Sequence, residues 1–187
     1  TQQKIDEALG GVLFIDEAYS LKREKGGQDF GQEAIDIILK RMEDSKNKFF
    51  VIAAGYPALM QNFLESNPGL KSRFSHYYSF DDYTAEELTS IYKLFADKDK
   101  YRVDKKAELL LSEKLRTTCG NAGESFGNAR FIRNLFNETK IELSKRYHSL
   151  EENEKDFSAL NTLRNEDIQS AFVNLEGRNN GGNDGAG

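Results

Sequence analysis

Gly10-Gly11-Val12-Leu13-Phe14-Ile15-Asp16-Glu17-Ala18-Tyr19 places four apolar residues between a glycine pair and two adjacent carboxylates. An unbroken apolar run lacks the alternation of a half-solvated strand, so it predicts a strand buried on both faces of a mainly parallel sheet. Phe49-Phe50-Val51-Ile52-Ala53-Ala54 repeats that signature. Between the two runs, Phe30, Ala34, Ile37, Ile38 and Met42 fall on one helical face, which leaves Gln32, Glu33, Asp36, Lys40 and Arg41 largely for solvent. The pattern is a strand, helix, strand crossover, with the working edge of the sheet at the carboxyl ends of both strands. Before it, the stretch from Lys4 to Leu9 is helical in composition, and Gly10-Gly11 supplies its left-handed cap.

Beyond the second run, the sequence predicts a short helix around Pro57 to Leu64, a turn at Asn67-Pro68-Gly69 and a third, shorter strand at Tyr77 to Phe80. Thr84-Ala85-Glu86-Glu87 then offers a capping box. Only helices follow. Leu88, Ile91, Tyr92 and Phe95 form one stripe, and Ala107, Leu110, Leu111 and Leu115 a second. Ile132, Leu135, Phe136, Thr139, Leu143 and Tyr147 form a third, and Asn165 is placed to cap a last helix containing Ile168, Ala171, Phe172 and Leu175. The change near residue 83 divides the chain into an α/β piece at 1–83 and a helical lid at 84–176. Residues 177–187, rich in glycine and asparagine, are expected to be a disordered tail.

The 187 residues suffice for a medium domain and a smaller one packed against it. At 38% hydrophobic and 30% charged, the composition is that of a soluble globular protein, and no stretch has the apolar length of a membrane span. A net charge of -5 gives no reason to expect nucleic acid as a partner. The single cysteine, Cys119, cannot form an intrachain disulfide, and His76 and His148 lie far apart, so there is no zinc-ligand spacing. A reducing, cytoplasmic setting is expected. The start at Thr1-Gln2-Gln3, without an initiator methionine, reads as a helix already in progress and as a cut from something longer.

Four apolar residues that deliver Asp16 and Glu17 to the end of a buried strand make a Walker B pattern. Such an aspartate can hold Mg²⁺ through its waters, while the neighbouring glutamate orients and deprotonates an attacking water. The plainer alternative is an acidic strand-to-loop turn. Arg73 follows in Asn67-Pro68-Gly69-Leu70-Lys71-Ser72-Arg73-Phe74, where a guanidinium could act on the γ-phosphate of a neighbouring subunit, or be an ordinary surface arginine. Gly127-Asn128-Ala129-Arg130 opens the longest lid helix, from which Arg130 could reach back to a phosphate lying between the lobes and report nucleotide state. Arg133 is one turn further on. Both arginines could instead decorate a solvated face or pair with Glu138 or another nearby acid.

The strings around Asp16-Glu17, Ala53-Ala54-Gly55-Tyr56, Asn67 to Arg73 and Gly127 to Arg130 resemble, in order and spacing, the CbxX/CfqX type of AAA+ ATPase. That branch includes Rubisco-activase-type remodellers, stage V sporulation protein K relatives and type VII secretion ATPases. The resemblance covers nearly all of residues 1–176 and implies a partial parallel-sheet P-loop NTPase core followed by an all-helical lid. It makes Asp16 the magnesium-side carboxylate, Glu17 the catalytic glutamate, Arg73 the arginine finger and Arg130 the sensor-2 arginine, with Tyr56 near sensor 1. It implies ATP and Mg²⁺ as cofactors, a hexameric homo-oligomeric ring, and a protein client that is remodelled or threaded. The loop from Lys22 to Gly27 could face the pore of such a ring, or be solvated. No Gly-x-x-x-x-Gly-Lys-Ser/Thr occurs in the 187 residues, so the chain alone is expected to bind ATP poorly. The same absence keeps open a non-enzymatic interaction or regulatory module built on an ATPase-like fold. A metal-dependent hydrolase using Asp16 and Glu17 ranks last, for want of further ligand clusters.

Overall fold

The structure, a computed structural model, describes residues 1–22, 30–46, 48–121 and 126–180, with side chains to 178. The chain separates into two compact units, Thr1–Phe80 and the residues from Asp81 onward.

In the first unit, α1 (Gln2–Glu7) leads through Gly10, whose φ of +81° is the left-handed value glycine adopts freely, into β1 (Val12–Ile15). The Gly10 N–H donates to the carbonyl of Lys48 at 2.7 Å, so this turn is tied to the approach of the next strand. A 3₁₀ turn at Ala18–Leu21 follows, then α2 (Phe30–Asp44) and β2 (Phe50–Ala53). β1 and β2 pair in parallel, Val12 opposite Phe50 through Ile15 opposite Ala53. α3 (Pro57–Glu65) and α4 (Pro68–Arg73) each begin on a proline, which fits the first helical turn because its missing N–H would be unpaired there anyway. The expected turn at Asn67 is therefore a helix start: the Asn67 side chain accepts the Gly69 N–H at 2.8 Å.

Three sequence expectations need correction in this unit. The sheet is covered on one face, where Leu13, Ile15 and Val51 pack with Ile5, Ile38 and Phe49, whereas Val12, Phe14, Phe50 and Ile52 on the other face are exposed. Apolar runs ask for two covers, and the described residues supply one. α2 buries Ala34, Ile35, Ile38 and Leu39, and Phe30 is exposed, so the buried stripe is rotated from the expected one. Finally, Tyr77 to Phe80 form no strand: the segment pairs with neither free edge of the β1–β2 sheet, and Tyr77, Tyr78 and Phe80 are exposed.

The second unit is built from α5 (Ala85–Lys98), α6 (Lys105–Asn121), α7 (Asn128–Ser149), the short α8 (Phe157–Asn161) and α9 (Asn165–Asn180). The Thr84 hydroxyl accepts the Glu87 N–H at 3.2 Å, and the Glu87 carboxylate accepts the Thr84 N–H at 2.8 Å, which completes the expected capping box. α7 is the central helix, packing on both α5 and α9. Its Ile132, Leu135, Phe136 and Leu143 meet Leu88 and Tyr92 of α5, Leu111 and Leu115 of α6, and Ile168 and Phe172 of α9 in one closed core. The rings of Tyr92 and Phe136 stand edge to face, centroids 5.5 Å apart. The unit is not helical throughout, contrary to the sequence expectation: a two-residue parallel bridge joins β3 (Arg102–Val103) to β4 (Thr162–Leu163).

The last helix is capped differently from expectation. α9 begins at Asn165, and it is Asp167 that accepts the Arg164 N–H at 2.8 Å. The same buried carboxylate takes Nε and Nη2 of Arg146 at 2.8 and 3.0 Å, while Nη2 also donates to the Thr162 carbonyl at 2.9 Å. α9 continues past residue 176, where the sequence expects the tail to begin, and residues 181–187 lie outside the described residues. So do residues 23–27 of the expected pore loop.

Candidate functional site

The carboxyl end of β1 is the focus of the first unit. Where β1 ends, the Ala54 N–H donates to the Ile15 carbonyl at 2.9 Å and the Ala18 N–H donates to the Ala54 carbonyl at 3.0 Å, so the residues between are pinned to the end of β2. Within that loop Glu17 holds φ 48° and ψ 46°, a left-handed conformation that disfavours side chains with a Cβ. Strain of this kind persists only where surrounding bonds over-determine it, and it collects at working sites. The Asp16 Oδ1 accepts the Glu17 N–H at 3.0 Å, and its second oxygen has no hydrogen bond among the described residues. Both carboxylates are exposed.

No group of three or more His, Cys, Asp or Glu side chains is placed to hold a metal among the described residues. Two carboxylates on one turn fit Mg²⁺ in the way it usually binds, with one or two protein carboxylates and the remaining positions filled by water and nucleotide oxygens.

Tyr56 stands at the start of α3, half exposed, with its ring 6.4 Å from that of Tyr19. Partial burial, followed by Glu17, Tyr56 and Asp16, pushes the Tyr19 phenol above its ordinary range, so it remains a neutral hydrogen-bond donor beside the acidic turn. Gly55 makes this packing possible. A Cβ there would lie 2.7 Å from Cδ1 and Cε1 of Tyr19 and 2.9 Å from Sδ of Met60. Gly55 and Tyr19 stand in the quoted strings without a role; the signal for one is a glycine between a strand end and the Tyr56-Pro57 helix start.

Arg73 ends α4 with its side chain 30% exposed. Nη2 donates to Oε2 of Glu43, on α2, at 3.1 Å, and Nη1 lies 3.4 Å from Oγ of Ser72. Its Nε is buried without a hydrogen-bond partner among the described residues. The arginine is thus folded onto its own unit, and Glu43 as its counter-ion is a third residue the sequence did not single out.

Arg130 belongs to the second unit, exposed in the first turn of α7, and its side chain makes no hydrogen bond or ion pair among the described residues. The Arg133 guanidinium lies over the Phe95 ring, 5.1 Å from its centroid. Glu138 is buried and binds Arg178 and Asn174 of α9, so neither Arg130 nor Arg133 is its partner. The structure therefore brings Asp16, Glu17 and, through Tyr19, Tyr56 together, places Arg73 on Glu43, and sets Arg130 on the other unit.

Residues 1–82 match the family model described as "ATPase family associated with various cellular activities (AAA)", and residues 84–177 match the AAA lid domain. Protein CbbX of Cereibacter sphaeroides is 39% identical over 173 residues, which cover 92% of this chain and 55% of that protein. A CfxQ homolog of Guillardia theta is 38% identical over 168 residues, 90% of this chain and 57% of the homolog. Stage V sporulation protein K of Bacillus subtilis is 45% identical over 136 residues, 72% of this chain and 42% of that protein. The chain spans about half the length of these relatives. With a lid-domain match over half of its residues, next to an AAA match over most of the rest, the chain belongs to the AAA+ ATPases of the CbxX/CfqX type.

Proposed function

We propose that the protein to which this chain belongs is a cytoplasmic, hexameric ring ATPase that couples hydrolysis of Mg-ATP to the remodelling or threading of a protein client. The observation that carries this reading is the acidic turn, with Asp16 and Glu17 held at the carboxyl rim of a parallel strand pair and Glu17 in a strained backbone conformation. In this scheme Asp16 faces the magnesium ion and Glu17 orients the attacking water and accepts its proton. ATP supplies the phosphoryl group. Arg73 leaves Glu43 to neutralise charge on the γ-phosphate of the adjacent subunit, an effect worth about 10³ to 10⁵ in rate. Arg130 contacts the nucleotide as a sensor, and Tyr56 stands near the sensor-1 position. Without a phosphate-binding loop in its 187 residues, the chain by itself binds ATP poorly.

Two variants of the full-length protein test the scheme. Glu17→Gln is expected to retain ATP binding and nearly abolish turnover. Arg73→Ala should lose turnover, then regain it on mixing with Glu17→Gln subunits, whose intact arginine serves the neighbour's competent site. Undiminished turnover in both variants overturns the scheme. Calorimetric titration with Mg-ATP addresses the binding-module alternative: heat from the full-length protein but not from this chain supports an ATPase, and silence from both supports a scaffold.

A further inference from the structure

Asn128 combines a strained backbone with a side chain that bridges two helix starts. Its φ of 45° lies in the left-handed region, which asparagine tolerates better than most residues. It is the first residue of α7, two positions before Arg130, whose N–H donates to the Gly127 carbonyl at 2.8 Å. The Asn128 carboxamide uses both its ends. Oδ1 accepts the Tyr83 N–H at 3.0 Å, and Nδ2 donates to the Asp82 carboxylate, with the Phe126 carbonyl 3.4 Å away. Asp82 and Tyr83 immediately precede Thr84, the N-cap of α5. One amide thus ties the first turn of α7 to the residues that lead into α5.

We infer that Asn128 and Asp82 are positioning residues for Arg130, acting as a clasp that fixes where the first turn of α7 holds the arginine. The inference rests on the nucleotide-sensing role proposed for Arg130. A left-handed backbone alone would be met by glycine, so the carboxamide is the part that carries the positioning. The clasp is also directional: it needs an acceptor for an N–H and a donor for a carboxylate on the same side chain.

The test measures Mg-ATP affinity by titration, with KM and kcat, in the full-length protein. Asn128→Gly keeps the backbone conformation without strain and removes the clasp; it is expected to weaken ATP binding about three- to ten-fold, with a larger change in KM than in kcat. Asn128→Asp sets two carboxylates against each other and should weaken binding at least as much. Combining Asp82→Asn with Asn128→Asp exchanges donor and acceptor, and should return affinity to within about two-fold of the parent. In an Arg130→Ala background, Asn128→Gly should change nothing further. Parental affinity in Asn128→Gly overturns the inference, as does an unrescued exchange, or a loss that adds in full to that of Arg130→Ala. If Arg130→Ala itself binds ATP normally, the sensing role falls and the clasp falls with it. Thermal melts of each variant separate lost positioning from lost folding.

Discussion

The two units meet the same apolar demand in different ways. From Asp81 onward, the stripes of α5, α6, α7 and α9 find one another, and Leu88, Tyr92, Leu111, Leu115, Ile132 and Leu135 are fully enclosed. In Thr1–Phe80 the sheet closes on one side only, and Phe14 and Phe50 on the other are 60% and 72% exposed. An apolar pattern records that a face is to be covered, not what covers it. Helical stripes in the second unit are one another's partners; the outer face of β1 and β2 has none among the described residues.

The contrast can be broken or sharpened by substitution. The largest effect is expected at Asp167, whose carboxylate is enclosed against Arg146; Asp167→Ala leaves that guanidinium only the Thr162 carbonyl and a 3.5 Å contact with the exposed Glu166, removes the acceptor of the Arg164 N–H at the start of α9, and should cost about 3–5 kcal/mol in urea unfolding. Leu135→Ala, at the centre of the closed core, should cost about 2–4 kcal/mol by the same measurement. At the rim of the first unit, Gly55→Ala forces Tyr19 and Met60 aside and should lose about 1–3 kcal/mol, with Tyr19 displaced from its ring contact with Tyr56 in a structure of the variant. Phe50→Thr should change stability by no more than about 0.5 kcal/mol, because the ring it removes touches mostly water, and should reduce binding of a hydrophobic dye. A loss of about 2 kcal/mol or more at Phe50 would mean that the outer face is covered in solution and would erase the contrast.

These differences track what was legible beforehand. The helical half could be read closely because period and partner lie in the same chain: Leu88 and Tyr92, Leu111 and Leu115, and Ile132, Leu135 and Leu143 are enclosed as their spacing predicts. β1 and β2 were legible, and so was their parallel pairing, but not their one-sided burial; the strand expected at Tyr77 to Phe80 does not form, and no local pattern announced the bridge of β3 and β4. For α2, two overlapping apolar stripes satisfy a helical period, and packing chose the one containing Ile35 and Leu39 over the one containing Phe30. At the site, the Asp16-Glu17 pair announced itself by composition. The left-handed turn at Glu17, the ring of Tyr19 over Gly55 and the Glu43 partner of Arg73 did not, since each depends on a contact between segments that no local pattern records.

The parallel bridge between β3 and β4 has a kinetic consequence. It is only two residues long, yet it joins Arg102–Val103, between α5 and α6, to Thr162–Leu163, between α8 and α9, and the Asp104 N–H donates to the Leu163 carbonyl at 3.0 Å. Closing it gathers α6, α7 and α8, most of the lid sequence, into one loop, an entropic cost that only the packed helices repay. The Asp104 amide should therefore exchange its hydrogen with solvent only as often as the whole lid opens, and would serve as a single-site clock for global unfolding of that unit.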